Sequence, residues 1–388
     1  MNSNQQHPKM KQVQAFFCKT LFLLVNLLFL YKYGARQEFI PLTVLLLGYS
    51  VVAVLFLQRN VFKMSFSQTL DLKRYYLVFC VSIAVVLFAV VFVTDGNSLN
   101  VDRWSAMDVA IRALIHGDYP YTAVDHMEGR TSNFPGLLLI GLPFYAMGNV
   151  GYLAIFTFIL LVYTLYKNLR IENAFHYMLL LLISPAYWWE VFVISDLMNN
   201  MILVLCFVLL IRNRAMPIFD KPVLLGWTTA FLVLTRGIVA IPLVLLVFKD
   251  FCLTTAKNKM RYVMSFSLTF VVLCLLTIWN CPDVETLKHY NPLALQTHYL
   301  PKYIHIISIV LPFIFSFAIK NFQRDYFISA SLLIGFPTLA AFVFNVLSFN
   351  FNEMIYDNLF DISYVSIVIP FLLIEIVKQK NQLSDRLA

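Results

Sequence analysis

Long apolar runs alternate with short polar interruptions along the whole chain. About twelve runs are long enough, or nearly so, to cross a bilayer as helices: roughly 14–31, 39–58, 75–94, 150–166, 174–189, 197–211, 222–235, 237–248, 262–279, 304–319, 326–347 and 362–377. The expected architecture is therefore all-α: a polytopic integral membrane protein, one transmembrane domain over 1–388. Residues 134–148, FPGLLLIGLPFYAMG, are apolar but too short, and they carry two Pro and interior Gly. They predict a short helix lying in or dipping into the outer face. Residues 95–149 then form one long juxtamembrane external segment between the third and fourth spans, and 280–303 forms a second external loop.

Composition supports the membrane class: 60% of the residues are hydrophobic and 13% charged, beyond the roughly half apolar content of soluble domains. The run 15–30 is followed by Tyr31-Lys32-Tyr33 rather than a small-residue cleavage site, which predicts a retained helix. The charges set the orientation. With both termini inside, 21 of the 29 Lys and Arg are cytoplasmic, among them Arg59, Lys63, Arg214, Lys380 and Arg386. Outside remain Lys32, Arg36, Arg103, Arg112, Arg130, Arg236, Lys288 and Lys302. Acids sort the other way: Glu38, Asp95, Asp102, Asp108, Asp118, Asp125, Glu128, Glu190, Asp196, Asp283, Glu285, Glu353, Asp357 and Asp361 all fall outside. Acids contribute little to orientation, so this enrichment needs another reason, and chemistry is one. The net charge of +8 is then a matter of sidedness, and no nucleic-acid partner is expected.

The polar stretch 101–122, VDRWSAMDVAIRALIHGDYPYT, is the most informative interruption. Arg103 to His116 has helical periodicity, with Trp104, Met107, Ile111 and Leu114 on one face and Ser105, Asp108, Arg112 and His116 on the other. Asp102 stands at the N-cap position and Gly117 just past the end. The expected object is an amphipathic helix whose apolar side presses into lipid or protein and whose polar side looks along the outer surface.

Asp102, the turn Gly117-Asp118-Tyr119-Pro120-Tyr121 and Asn133-Phe134-Pro135-Gly136-Leu137 resemble the first external loop of the polytopic glycosyltransferases of the C superfold. Leu234-Thr235-Arg236-Gly237 with Ile241-Pro242 looks like that family's broken pair of short helices. Asn291-Pro292-Leu293 with Gln296 looks like its later external loop. The resemblance covers roughly residues 75–320. In the simplest family layout the loop follows the first span; here it follows the third. The resemblance implies an inverting, mannosyltransferase-like transfer of a sugar from a polyprenyl-phosphate donor to a glycan, lipid or protein acceptor at the outer face.

Such a reaction needs a carboxylate base, worth about 10²–10⁴-fold, and cations that hold the leaving phosphate. Asp102 is the candidate base, an N-cap or solvated loop acid being the plain alternative. Asp108 is the weaker catalytic candidate, an ion pair with Arg112 one turn on being the favoured plain reading. Arg236 is the candidate donor-phosphate ligand. It stands alone between two short apolar runs, with snorkelling to the interface as the alternative. Lys288, His289, His298 and Lys302 flank Asn291 and form a basic patch that could join it. Tyr119, Tyr121, Gln296, Glu190 and Asp196 are candidate substrate contacts; capping of the next helix is the simpler role for Asp196. Trp188 and Trp189 suit an outer interface. The six Cys and seven His show no metal-ligand spacing, so no metal and no cofactor is expected. Short loops and the lack of glycosylation sequons suggest a bacterial plasma membrane. The rival classes are a lipid-linked oligosaccharide polymerase or ligase, a secondary transporter and a purely structural membrane protein.

Overall fold

The computed structural model describes residues 8–58, 69–212, 217–356 and 360–378. Arg59, Lys63, Arg214, Asp357, Lys380 and Arg386, used above to assign sides, lie outside the described residues. Among the described residues all regular elements are helical, apart from an isolated antiparallel bridge between Val124 and Arg130. Among the described residues four helices are long and apolar enough to cross a membrane: Val13–Gly34, Leu72–Val93, Ala256–Ile278 and Phe322–Ser348. A fifth arises if the bent pair Pro185–Phe192 and Leu197–Arg212 counts as one broken span. Much of their apolar surface is uncovered, as at Val81, Val85, Met264, Leu268 and Leu275. Apolar surface of that extent calls for a lipid solvent.

Several expected spans are shorter or broken. The run 174–189 divides into Ile171–Leu182 and Pro185–Phe192. Pro185 has no N–H to continue the ladder and starts the second helix. The run 362–377 divides into Ser363–Ser366 and Ile369–Lys378.

The chain forms two compact units. The first comprises Met1–Ser82, Leu165–Trp189 and Asn321–Ala388. At its centre is Ile369–Lys378, buried from Ile369 to Val377 and packed by Pro8–Gly34, Ile171–Leu182 and Phe327–Ser348. Asn26 organises the nearby Pro185 break. Its Oδ1 accepts from Ser184 Oγ at 2.6 Å and from the Ala186 N–H at 3.2 Å, so a helix start buried in apolar surroundings keeps its hydrogen bonds.

The second unit comprises Ile83–Thr164 and Glu190–Lys320 and carries both polar segments, 95–149 and 280–303. Pro222–Val233 lies against Ala256–Ile278, and Ala240–Leu253 against Lys302–Ala318. The first pair approaches closely because Gly226 has no side chain: a Cβ there would sit 2.5 Å from the Tyr262 carbonyl oxygen. Lys249 Nζ donates to the Ile319 carbonyl at 2.6 Å, covering the end of the Lys302–Ala318 helix.

Arg103–His116 is the predicted helix. Gly117 follows it with φ 81°, and the Asp118 N–H reaches back to the Ala113 carbonyl at 2.9 Å, the usual glycine stop. Its apolar face meets protein. Met107 and Ile111 pack over Gly141 of Pro135–Ala146, and the Trp104 indole donates to Asn149 Oδ1 at 2.8 Å. The expectation that the opposite face looks along the surface needs correction. Arg112 and His116 are exposed, but Ser105 and Asp108 are buried. The chain after the helix folds back over Ser105: His126 Nδ1 is 2.6 Å from Ser105 Oγ, and its Nε2 is 2.7 Å from the Leu99 carbonyl.

Gly226→Ala should therefore lower stability by about 1–3 kcal/mol, since a backbone carbonyl cannot move aside. Gly48→Ala, whose Cβ would meet nothing within 4 Å, should be neutral or slightly stabilising inside its helix. Thermal melts of the two purified variants check both.

Candidate functional site

Asp102 stands at the N-cap position with helical backbone angles (φ −79°, ψ −7°), and its side chain makes no capping hydrogen bond. The simple cap role is thus not the one it plays. A second carboxylate comes close. Residues 125–129 form a tight turn: the Asp125 N–H donates to the Gly129 carbonyl at 3.1 Å, and Asp125 Oδ1 accepts from the N–H groups of Met127 and Gly129 at 2.8 and 3.0 Å. Glu128 takes φ 63° to close it. The turn aims Asp125 Oδ2 into the space over Gly129. An ideal Cβ on Gly129 would lie 2.8 Å from Asp125 Oδ2 and 3.3 Å from Asp102 Oδ2. The two oxygens are therefore no more than about 6 Å apart. Asp102 is half-buried; Asp125 is only 6% exposed, and its Oδ2 has no hydrogen-bond partner.

Asp125 entered the sequence reading only as one outer acid among many. An Asp four residues before a Gly, the mark of a side-chain-closed turn, could have singled it out. Its proximity to Asp102 could not be read from the sequence.

Asp108 is elsewhere on the helix. Its Oδ2 accepts from Arg112 Nη2 at 2.8 Å, one turn on. Burial raises its pKa, and the Arg112 charge and hydrogen bond partly offset that. Its carboxylate is committed to the pair.

Arg236 is the hub of the unit. It is 3% exposed in the break between Pro222–Val233 and Ala240–Leu253. Nε and Nη2 both donate to Asp196 Oδ2, at 3.1 and 2.5 Å; Nη2 also reaches Asn133 Oδ1 at 2.6 Å, and Nη1 reaches Ser132 Oγ at 3.4 Å. The arginine does not snorkel to the interface: it is buried and paired. Backbone bonds join the same pieces: Gly136 N–H to the Leu234 carbonyl at 2.7 Å and Phe134 N–H to the Thr235 carbonyl at 3.3 Å. Gly136 permits this approach, because a Cβ would fall 2.5 Å from the Phe231 carbonyl oxygen. Gln296 supplies the third strut, donating to the Ser132 carbonyl at 2.5 Å and accepting from the Gly237 N–H at 2.9 Å. Three stretches far apart in sequence, 132–136, 234–237 and Gln296, thus meet at one place.

Other candidates have structural partners. Asp196 pairs with Arg236. The N-terminal N–H groups of Leu197–Arg212 go to other residues: Met198 to Glu190 Oε2 at 3.2 Å and Leu197 to Ser195 Oγ at 3.3 Å. Asp196 is therefore not the helix cap expected of it, and Glu190 serves the helix start from a buried position. Tyr119 and Tyr121 are both 3% exposed and meet edge to face at 5.3 Å, so neither presents a ring for stacking. Burial pushes the Tyr119 phenol up to about 12 and raises that of Tyr121 as well. Their place is structural: the Tyr119 hydroxyl reaches the Tyr290 carbonyl at 3.5 Å, and the Arg130 guanidinium lies 4.5 Å from the Tyr290 ring centre. These contacts dock segment 280–303 onto segment 95–149.

In that second segment Asp283 caps Val284–His289, accepting from the Thr286 N–H at 2.7 Å, and these bonds hold its carboxyl below the usual range. Asn291 starts Pro292–Gln296 by accepting from the Leu293 N–H at 2.9 Å. Lys288, His289, His298 and Lys302 are exposed, and none is among the hydrogen-bond partners of the buried Arg236. No protein-family model matches the chain, and no curated protein or solved structure matches it either.

Removing Arg236 strands the Asp196 carboxylate, 4% exposed. Arg236→Met should cost about 3–5 kcal/mol, much of it regained when Asp196→Leu is added; thermal unfolding of the single and double variants reads this. For Asp108 the sign follows from its raised native pKa. Its stabilising contribution is full below the ordinary carboxylate value of 3.8 and is lost as pH rises through the native value. Asp108→Asn should match or exceed wild-type stability at neutral pH. Wild type should gain on the variant as the pH falls through that window, which melting curves at successive pH values would follow.

Proposed function

We propose that the protein is an integral membrane glycosyltransferase that moves a sugar from a polyprenyl-phosphate donor to an acceptor at the outer membrane face. The observation that supports this most is the meeting of three segments, 132–136, 234–237 and Gln296, which are the stretches that resemble the C-superfold glycosyltransferases. Chance likeness in three short motifs gives no reason for them to touch. In this reading about twelve apolar segments lie in a plasma membrane of bacterial type, with both termini cytoplasmic.

Asp102, half-buried at the start of an amphipathic helix, takes the proton of the acceptor hydroxyl as that oxygen attacks the anomeric carbon. The bond to the phosphate oxygen breaks on the opposite side, and the polyprenyl phosphate leaves with inversion. Arg236 sets the site's frame from within its ion pair, and its Nη1, held only by the long contact to Ser132, is the donor nearest to being available for the phosphate. Lys288, His289, His298 and Lys302 supply positive potential along the rim.

A secondary transporter is the second reading, favoured by one observation. Two interrupted helix pairs, broken between Phe192 and Leu197 and between Val233 and Ala240, place their breaks at the buried Asp196–Arg236 pair. Discontinuous helices with buried charge at the break are a transporter trait.

The deciding assay offers polyprenyl-phosphate sugars and acceptors to the purified protein in nanodiscs and quantifies free polyprenyl phosphate. Wild type should release it, and folded Asp102→Asn should lose about 10²–10⁴-fold of that rate. Release undiminished in Asp102→Asn would remove Asp102 as the base. Substrate uptake by reconstituted vesicles without release would favour the transporter.

A further inference from the structure

Arg236 follows one end of Pro222–Val233. The other end, about 18 Å away along a twelve-residue helix, carries a feature that the proposed reaction does not use. A cavity of about 260 Å³ lies between the last turns of Leu197–Arg212 and the first turns of Pro222–Val233. Phe207, Leu210 and Ile211 line one side; Ile218, Leu224 and Leu225 line the other. The two helices make little direct contact, so the cavity is a cleft between them. It is open at the side: Leu224 is 49% exposed, and Val223 and Trp227 next to it are exposed as well. The cleft cannot close cheaply. Pro222–Val233 is held from behind by Ala256–Ile278, with Ser265 Oγ donating to the Val223 carbonyl at 2.7 Å. The turn before it is pinned by the Phe219 ring, 5.5 Å from that of Tyr262, and by Asn258 Nδ2, which donates to the Phe219 carbonyl at 3.4 Å.

An apolar cleft that opens into a bilayer takes up hydrocarbon, because lipid tails are as apolar as leucine and an empty cleft forfeits contacts. The charges at the mouth select the lipid. Asp220 and Lys221 both line the cavity and both are exposed. Among the described residues neither side chain has an ion-pair partner. One carboxylate and one ammonium thus stand side by side. The complementary headgroup carries a phosphate and a primary ammonium: Lys221 donates to the phosphate, and Asp220 accepts from the ammonium. A glycerol headgroup has no ammonium for Asp220, and choline has no N–H to donate. We infer that the cleft is a phosphatidylethanolamine site, with part of an acyl chain between the two helices and the headgroup on Asp220 and Lys221. The site requires only that the chain lie in a bilayer. It rests neither on sugar transfer nor on which face is cytoplasmic.

The experiment is native mass spectrometry of the full-length protein in detergent. It is titrated with phosphatidylethanolamine, phosphatidylglycerol or phosphatidylcholine of identical acyl chains. Wild type should retain one phosphatidylethanolamine at about fivefold lower concentration than either of the others. Lys221→Gln should weaken retention of all three by about fivefold, since each carries the phosphate. Asp220→Asn should remove the preference for phosphatidylethanolamine. Asp220→Lys should turn it toward phosphatidylglycerol, because two cations favour an anionic headgroup. Thr228→Phe, which puts a ring into the cleft, should weaken retention of every lipid. Lys257→Gln, at an exposed lysine outside the lining, should behave like wild type. Elution volume and melting establish that each variant is folded; if Thr228→Phe is not, the variants of the two exposed charges carry the test. Equal retention of the three lipids by wild type, or a preference for either of the other two, overturns the proposal. So does an unchanged preference in folded Asp220→Lys, or unchanged retention in folded Thr228→Phe.

Discussion

The second unit is organised by one buried ion pair. Arg236 and Asp196 are 40 residues apart in sequence and almost fully withdrawn from water. Charges in such a place are tolerated only when paired and hydrogen-bonded, and Arg236 meets that condition by gathering Asp196, Asn133 and Ser132 around one guanidinium. The planar fork of arginine is what allows one side chain to serve several acceptors; a lysine would offer a point charge instead. Because its acceptors lie on two stretches, 132–133 and Asp196, the guanidinium ties both of them to the break at 234–237.

The polar segment 95–149 inherits its shape from that constraint. Its far end is held at Asn133 and Gly136, and Asn149 ties its last residues to the Val91 carbonyl. Between these anchors the chain has little freedom. The turn at 125–129 is set against the start of the Arg103–His116 helix, with His126 bonded to Ser105 and Leu99. Segment 280–303 is added through Gln296, Tyr290 and Arg130. Short capped helices and tight turns on a fixed frame make a stiffer site than a free loop of the same length would.

This arrangement also separates residues that frame the site from residues available for chemistry. Glu190, Asp196, Tyr119, Tyr121, Gln296 and most of the Arg236 guanidinium spend their polar groups or their surface on structure. Asp125 keeps one buried carboxylate oxygen without a hydrogen bond, and Lys288, His289, His298 and Lys302 are exposed. A membrane protein that needs a polar site must hold it together without water's help, which is why so many of its polar side chains are struts.

The sequence by itself determined the helical class, the apolar segments, the amphipathic Arg103–His116 helix with its glycine stop, and the presence of interruptions at 234–237 and 95–149. These are local matters: apolar length, a 3.6-residue period, a glycine free to take positive φ, a proline with no N–H. The tertiary structure decided which polar residues meet. Arg236 was legible as an unusual arginine, but its partners were not, since Asp196 and Asn133 reach it through packing of separate helices. Asp108 and Ser105 read as a solvent face because periodicity knows the sides of a helix and not what will cover them. Asp125 was overlooked for the same reason. Its turn was written in five consecutive residues, while its place beside Asp102 depends on a fold-back that His126 anchors on Ser105 and Leu99.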